Sequence, residues 1–134
     1  MERIDVPTSR RCELVDVTAV VNGAARALGV ADGGVLLHVP HTTAAITVNE
    51  GYDPDVAGDL LRRLERLAPH WEDTAGGRDR HGEGNSDSHL KAALVGTSTL
   101  LPIVDGELAL GRWQRVFFCE FDGPRRRELW VTAV

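Results

Sequence analysis

The sequence predicts an α+β fold: one domain over residues 1–134, with antiparallel or mixed β-sheets packed as a sandwich-like core and about three helices. Three observations carry this. Short runs of strand character outnumber helical runs, and turn signals such as "DG" separate them. Only three stretches carry helical spacing or helix-start signals, and they are inserted among the strands. The chain has 134 residues, 43% of them hydrophobic, which suits one compact domain.

In chain order, "RIDV" and "CELVDV" read as short strands separated by "PTSRR". Thr18 is placed to cap a helix through "AVVNGAARAL", with Gly29 at its end. "DGG" turns the chain into the apolar strand "VLLHV". A second strand follows within "VPHTTAAITVNE". The second helix has Asp53 at its N-cap and Pro54 at its first position. Val56, Leu60, Leu64 and Leu67 recur along it at helical spacing, and Pro69 stops it. Residues 72–88 read as a long polar loop, a feature more often functional than idle. Ser88 is placed to cap a third helix, "HLKAALVG". "STLLPIV", "ELAL", "QRVFFCEF" and "RELWVTAV" complete the strands.

Composition narrows the function. A net charge of −5 argues against a broad nucleic-acid surface, while leaving room for a local anion site. No apolar run is long enough to span a bilayer, so no membrane partner is expected. The N-terminus "MERIDVPTSRR" lacks the apolar stretch of a secretory signal, which makes the cytoplasm the expected compartment. Cys12 and Cys119 form no CxxC pair and read as buried free thiols in strands.

The stretch Val39–Glu50 holds the first candidate chemistry. As a strand, it puts Ala44, Ile46 and Val48 on one face, toward the core. His41, Thr43, Thr47 and Asn49 fall on the other, with only Ala45 among them, and that face can be a solvated face or a pocket wall. Glu50 is a candidate general acid/base, with Asn49 beside it to orient a substrate. Among five histidines there is no HExxH and no other compact zinc signature. His41 opens a strand and His89 opens a helix, so rigid elements aim both. Glu83, Asn85, Asp87 and Ser88 lie between them as partners able to orient imidazoles. With His81 as a third ligand, three neutral imidazoles and an open fourth position suit zinc or a similar divalent ion. His38 reads as packed in an apolar strand, and His70, past a helix stop, as exposed. The helix start near His89 offers backbone N–H groups to a phosphate. Arg112, Arg115, Arg125, Arg126 and Arg127 are candidates to guide an anionic ligand, with Arg126 as the candidate substrate contact. The plainer alternative at each position is a polar strand end, a solvated loop histidine or a surface arginine.

Four stretches, "HVPHTTAAITVNEGYDPDV", "EGNSDSHLKAALVGTS", "LPIVDGELALGRWQ" and "EFDGPRRRELWV", fall in order across most of the chain. Together they resemble the YjbQ family of small proteins, also described as secondary thiamine-phosphate synthases. The resemblance implies an α+β fold around a β-sandwich-like core, a homotrimer, a metal-bearing site lined by histidines, and weak thiamine-phosphate synthase activity. That activity joins a pyrimidine-methyl diphosphate to a thiazole phosphate. It makes a small phosphorylated ligand the expected partner, with zinc the expected ion and magnesium the alternative for a diphosphate substrate. By the motifs, the site residues are His41, Asn49, Glu50, Asn85, His89, Trp113 and Gln114, with His81 placed by the loop. The chain departs from the pattern at Asp87, where relatives often have histidine, at Arg112 for threonine, and at "NEGYDP" for "NENADP". Two other functions compete: a non-catalytic trimer binding metal and a small anion, and a metal-dependent hydrolase in which Glu50 moves the proton of a bound water.

Overall fold

The structure, a computed structural model, describes residues 1–70 and 79–134. Residues 72–78 of the expected polar loop lie outside the described residues. Eight strands and three helices occur among the described residues, in the order β1 (Glu2–Pro7), β2 (Glu13–Asp16), α1 (Thr18–Ala27), β3 (Gly33–His38), β4 (Ala44–Glu50), α2 (Pro54–Leu67), α3 (Ser86–Val95), β5 (Ser98–Val104), β6 (Glu107–Leu108), β7 (Gln114–Glu120) and β8 (Arg126–Ala133). They form a five-stranded sheet, β1-β8-β3-β5-β6, and a three-stranded sheet, β2-β7-β4. Every strand pairing is antiparallel.

Period-two alternation drives the two sheets together. Val35 and Leu37 of β3, Ile103 of β5, and Leu129 and Val131 of β8 turn inward from the large sheet. They meet Ala44 and Ile46 of β4 and Val116 and Phe118 of β7. Val21, Ala24 and Ala25 of α1 join the same core. The other face of the small sheet is also covered. There Ala45, Cys119 and Phe121 pack with Ala92 of α3, and Leu61, Leu64 and Val95 close around them. The expectation of one apolar and one pocket-lining face on β4 therefore holds only in part. Ala45 is fully buried under the helices, and it is the chain before β4 that lines a cleft.

Several local expectations are corrected. Thr18 is the first helical residue, and the side chain of Asp16 accepts its N–H at 3.0 Å. The Thr18 hydroxyl instead accepts the Val116 N–H at 2.9 Å, tying α1 to β7. Helix α3 starts two residues before Ser88, with Asn85 at its N-cap. The Ser88 hydroxyl donates to the Phe121 carbonyl at 2.6 Å. Cys12 lies just before β2 and is half-buried, while Cys119 is buried in β7. Burial pushes the Cys119 thiol up to about 12. Leu67, expected on the apolar stripe of α2, is 70% exposed. His38 is half-buried, with Nδ1 2.6 Å from Ser98 Oγ. His70 is not a solvated side chain: its Nδ1 lies 3.0 Å from Asp87 Oδ1.

Asp87 is the centre of a buried ion network. Its carboxylate receives Arg11 Nη2 at 3.2 Å and Lys91 Nζ at 3.0 Å, and Lys91 reaches on to Glu65 at 2.5 Å. Burial would raise the Asp87 pKa, but the hydrogen bonds from His70 and Lys91 outweigh it and hold the group below its ordinary value. Burial would likewise lower Lys91, and its bonds to Glu65 and Asp87 hold it up. We expect Lys91→Met to lower stability by about 2–3 kcal/mol, because a buried carboxylate loses a charged donor. Urea denaturation of the two proteins checks this. A loss no larger than that of an exposed control such as Arg66→Ala would contradict it.

Candidate functional site

The chain leaves β3 through Val39 and Pro40 and enters β4 after His41, Thr42 and Thr43. This link, the start of α3 and the turn between β7 and β8 line a cleft of about 340 Å³. His41, Thr42, Asn85, His89, Arg125 and Arg127 are on its wall, together with the carboxylates of Glu83 and Asp122. A second hollow of about 480 Å³ shares Pro40, His41, Thr42 and His89, and adds Val39, Ala92 and Ala93. The two imidazoles therefore stand where a polar cleft meets a less polar one.

The tautomer of His41 is set by the backbone. Its Nε2 accepts the Glu128 N–H at 2.9 Å, so that nitrogen carries the lone pair and the ring proton sits on Nδ1. Burial and the Arg127 guanidinium both lower its pKa, which keeps the ring neutral. His41 therefore presents an N–H donor, not a second lone pair. His89 is half-buried on α3, and the exposed ring of His81 meets it edge to face, with centroids 5.3 Å apart. His81 Nε2 lies 3.6 Å from Glu83 Oε2. This arrangement does not fit a three-imidazole metal centre, because His41 has no lone pair to give while it holds the Glu128 N–H. No three His, Cys, Asp or Glu side chains are grouped to hold an ion among the described residues.

Two ion pairs frame the cleft. Buried Glu120 is held by Arg127 at 2.8 Å (Nε) and 2.6 Å (Nη2), and it also accepts from Thr8 at 2.8 Å. Arg127 Nη2 reaches Thr43 Oγ1 at 2.8 Å. Burial would raise Glu120, but these bonds hold its carboxyl below the usual range. At the rim, Arg125 donates to the Asp122 carbonyl at 2.7 Å and to its carboxylate at 2.9 Å. Gly123 makes that turn possible: a Cβ there would run into the Arg10 carbonyl and the Glu120 side chain. We expect Gly123→Ala to lower the thermal midpoint, read by calorimetry. An unchanged midpoint would contradict that packing.

The residues singled out from sequence divide into groups. His41, Asn85 and His89 come together on the cleft, with His81 against His89. Asn49, Glu50, Trp113 and Gln114 sit at the far end of β4, where Glu50 pairs with Gln114. Ala44 pairs with Glu120 at the near end, so roughly 20 Å of strand separates the groups within one chain. Glu50 Oε2 accepts the Asp53 N–H at 3.0 Å, and the Asn49 side chain accepts the Glu50 N–H at 2.8 Å. Trp113 is 52% exposed and packs edge to face with Tyr52. Gln114 accepts the Gly111 N–H at 2.7 Å. Arg126 is exposed and off the cleft wall, whereas Arg125 and Arg127 are on it. Sequence parity held that signal: Leu129 and Val131 face inward, so Arg127 must as well. Asp87 faces the ion network and not the cleft, so histidine's absence there removes nothing from the cleft wall.

The family model described as "UPF0047 protein YjbQ-like" matches residues 2–134. UPF0047 protein YugU of Bacillus subtilis is 42% identical over 134 residues, covering 100% of this chain and 98% of that one. UPF0047 protein MJ1081 of Methanocaldococcus jannaschii is 46% identical over 133 residues, covering 98% and 92%. The crystal structure of the conserved hypothetical protein TT1486 from Thermus thermophilus superposes with a TM-score of 0.91 at 49% identity, covering 100% of both chains. A YjbQ/UPF0047 family protein from Clostridium acetobutylicum gives 0.93 at 41%, again over 100% of both. With its two antiparallel sheets, three helices and near-complete coverage, this chain belongs to the YjbQ-like UPF0047 family.

Proposed function

We propose that the cleft at His41, Asn85 and His89 binds a small phosphorylated ligand, and that the chain is a transferase of the thiamine-phosphate synthase kind. The observation that carries this is the fixed His41 tautomer beside the start of α3. A neutral N–H donor and the backbone N–H groups of a first helical turn suit phosphate oxygens. Arg125 at the rim adds a guanidinium. In the reaction, the thiazole nitrogen's lone pair forms a C–N bond to the pyrimidine methylene carbon, and the C–O bond to diphosphate breaks. The diphosphate leaves with that electron pair, and no proton has to move. The protein's task is then to hold phosphate and offset the developing charge, which donors in place before the reaction do well.

Diphosphate release from a pyrimidine-methyl diphosphate and a thiazole phosphate tests the reading. His41→Ala is expected to lose most of the rate, while exposed Arg66→Ala keeps it. No release by the wild type would remove the transferase reading, and equal rates in the two variants would remove the cleft from it.

Glu50 and Asn49 reach this ligand only if another subunit carries them there. Two features support self-association, and the count of three is what the family resemblance implies. No residue of α2 is buried although the helix is amphipathic. On the outer face of the large sheet, Leu36 (38% exposed) pairs with Leu100 (62% exposed), an apolar patch that suits an interface. Light scattering should give about three times the 14.6 kDa chain mass, and Leu100→Glu should reduce it. A wild-type monomer would exclude a shared site.

A further inference from the structure

We propose that the cleft selects a phosphorylated ligand that also carries an amino group, and that Asn85 Oδ1 is the atom that reads it. This rests on the phosphate-binding reading above and narrows it. Asn85 is 5% exposed and stands at the N-cap of the ten-residue helix α3. An asparagine there ordinarily turns its side-chain oxygen onto the first-turn N–H groups. This one makes no such cap bond. Its Nδ2 instead donates to Asp122 Oδ2 at 2.8 Å and to Glu83 Oε2 at 3.3 Å. Rotating the amide would aim its oxygen at both carboxylates, so the orientation is chemically fixed. Oδ1 is left as a buried acceptor with no partner, the one such side-chain atom among the described residues.

A buried orphan acceptor on a cleft wall calls for a donor from the occupant. The neighbouring charges make that donor an amine. Glu83 and Asp122 also line the cleft, and their charge favours an ammonium over a hydroxyl. A metal ion suits the place less well. Asp122 Oδ2 already accepts from Asn85 and Arg125, and no three ligating side chains are grouped among the described residues. The helix forgoes a cap bond at this residue, as expected of a group kept for a ligand.

The test compares O-phosphoethanolamine with monoethyl phosphate, which share the phosphate and differ in the amine. Calorimetric titration of the wild type with chelator present should show the amine-bearing compound binding about tenfold to a hundredfold more tightly. In Asn85→Ala the ratio should fall toward one, whatever that variant's affinity for the phosphate alone. The wild-type ratio decides the question alone if that variant does not fold. Equal wild-type affinities would overturn the amine preference and leave the phosphate reading standing. Binding of neither compound would overturn both. A preference that survives in Asn85→Ala would remove Asn85 as the reader. Binding that appears only when zinc chloride replaces the chelator, with no amine preference, would give Oδ1 to an ion and overturn the proposal.

Discussion

Arg127→Met is expected to destabilise the protein by about 3–5 kcal/mol, because it strands a buried carboxylate without its counter-charge. Glu120 is fully buried, and two of its strongest contacts are to that guanidinium. In a chain of 134 residues, a loss of this size lowers the thermal midpoint by roughly 10–20 °C. The double variant Glu120→Gln/Arg127→Met should recover part of it, since no charge is then left unpaired. The pair also sets the acid limb. Glu120, Asp87 and Asp122 all have folded pKa values below their ordinary ones. A depressed carboxylate contributes stability above its unfolded pKa of about 4 and loses it as pH falls through the lower folded value. Stability should therefore collapse below about pH 4 as these carboxylates protonate, after a shallower decline that starts near the ordinary imidazole value of about 6.5, because the fold holds the His41 pKa down. Arg127→Met should flatten that collapse. Calorimetry as a function of pH reads both effects. An unchanged midpoint in Arg127→Met would mean that the pair contributes nothing.

His41→Ala is expected to weaken diphosphate binding by about tenfold to a hundredfold, the loss of one hydrogen bond to a charged acceptor. Its pH dependence separates this site from one that relies on an imidazolium. With its pKa lowered, His41 stays a neutral donor as pH rises through 7. The ligand gains charge over that range, since a phosphate's second pKa is about 6. Binding should then hold or strengthen from pH 6 to pH 8, as followed by calorimetric titration. A steep loss over that interval would show that a protonated histidine binds the ligand.

The sequence made the sheets and helices legible because alternation and caps are local signals. "STLLPIV" became β5 residue for residue, and Asp53 caps α2 through the Asp55 N–H at 2.9 Å. Misplaced boundaries came from side chains with better partners elsewhere. Ser88 reads as a cap, yet its hydroxyl is claimed by Phe121 across the fold. The cleft was half legible. His41 and His89 both reach the cleft, but His41 does so from the link between β3 and β4 and not from a strand start, and His89 stands inside the first turns of α3 and not at its first residue. No local pattern shows that the Glu128 N–H fixes the His41 proton, because that contact joins residues 87 positions apart. Nor does any local signal show that Asp87 turns toward Lys91 and Arg11. Asn49 and Glu50 drew attention as the polar end of the same strand as His41, but strand length alone keeps them from the cleft within one chain.

The most direct test of a phosphate-binding cleft is to locate bound diphosphate by amide chemical-shift mapping of the wild-type protein with chelator present. Saturable shifts should centre on Asn85 through His89 at the start of α3, and on Glu128, whose N–H holds His41. Saturable shifts confined to Glu50, Trp113 and Gln114, or none at millimolar diphosphate, would contradict the cleft as the phosphate site.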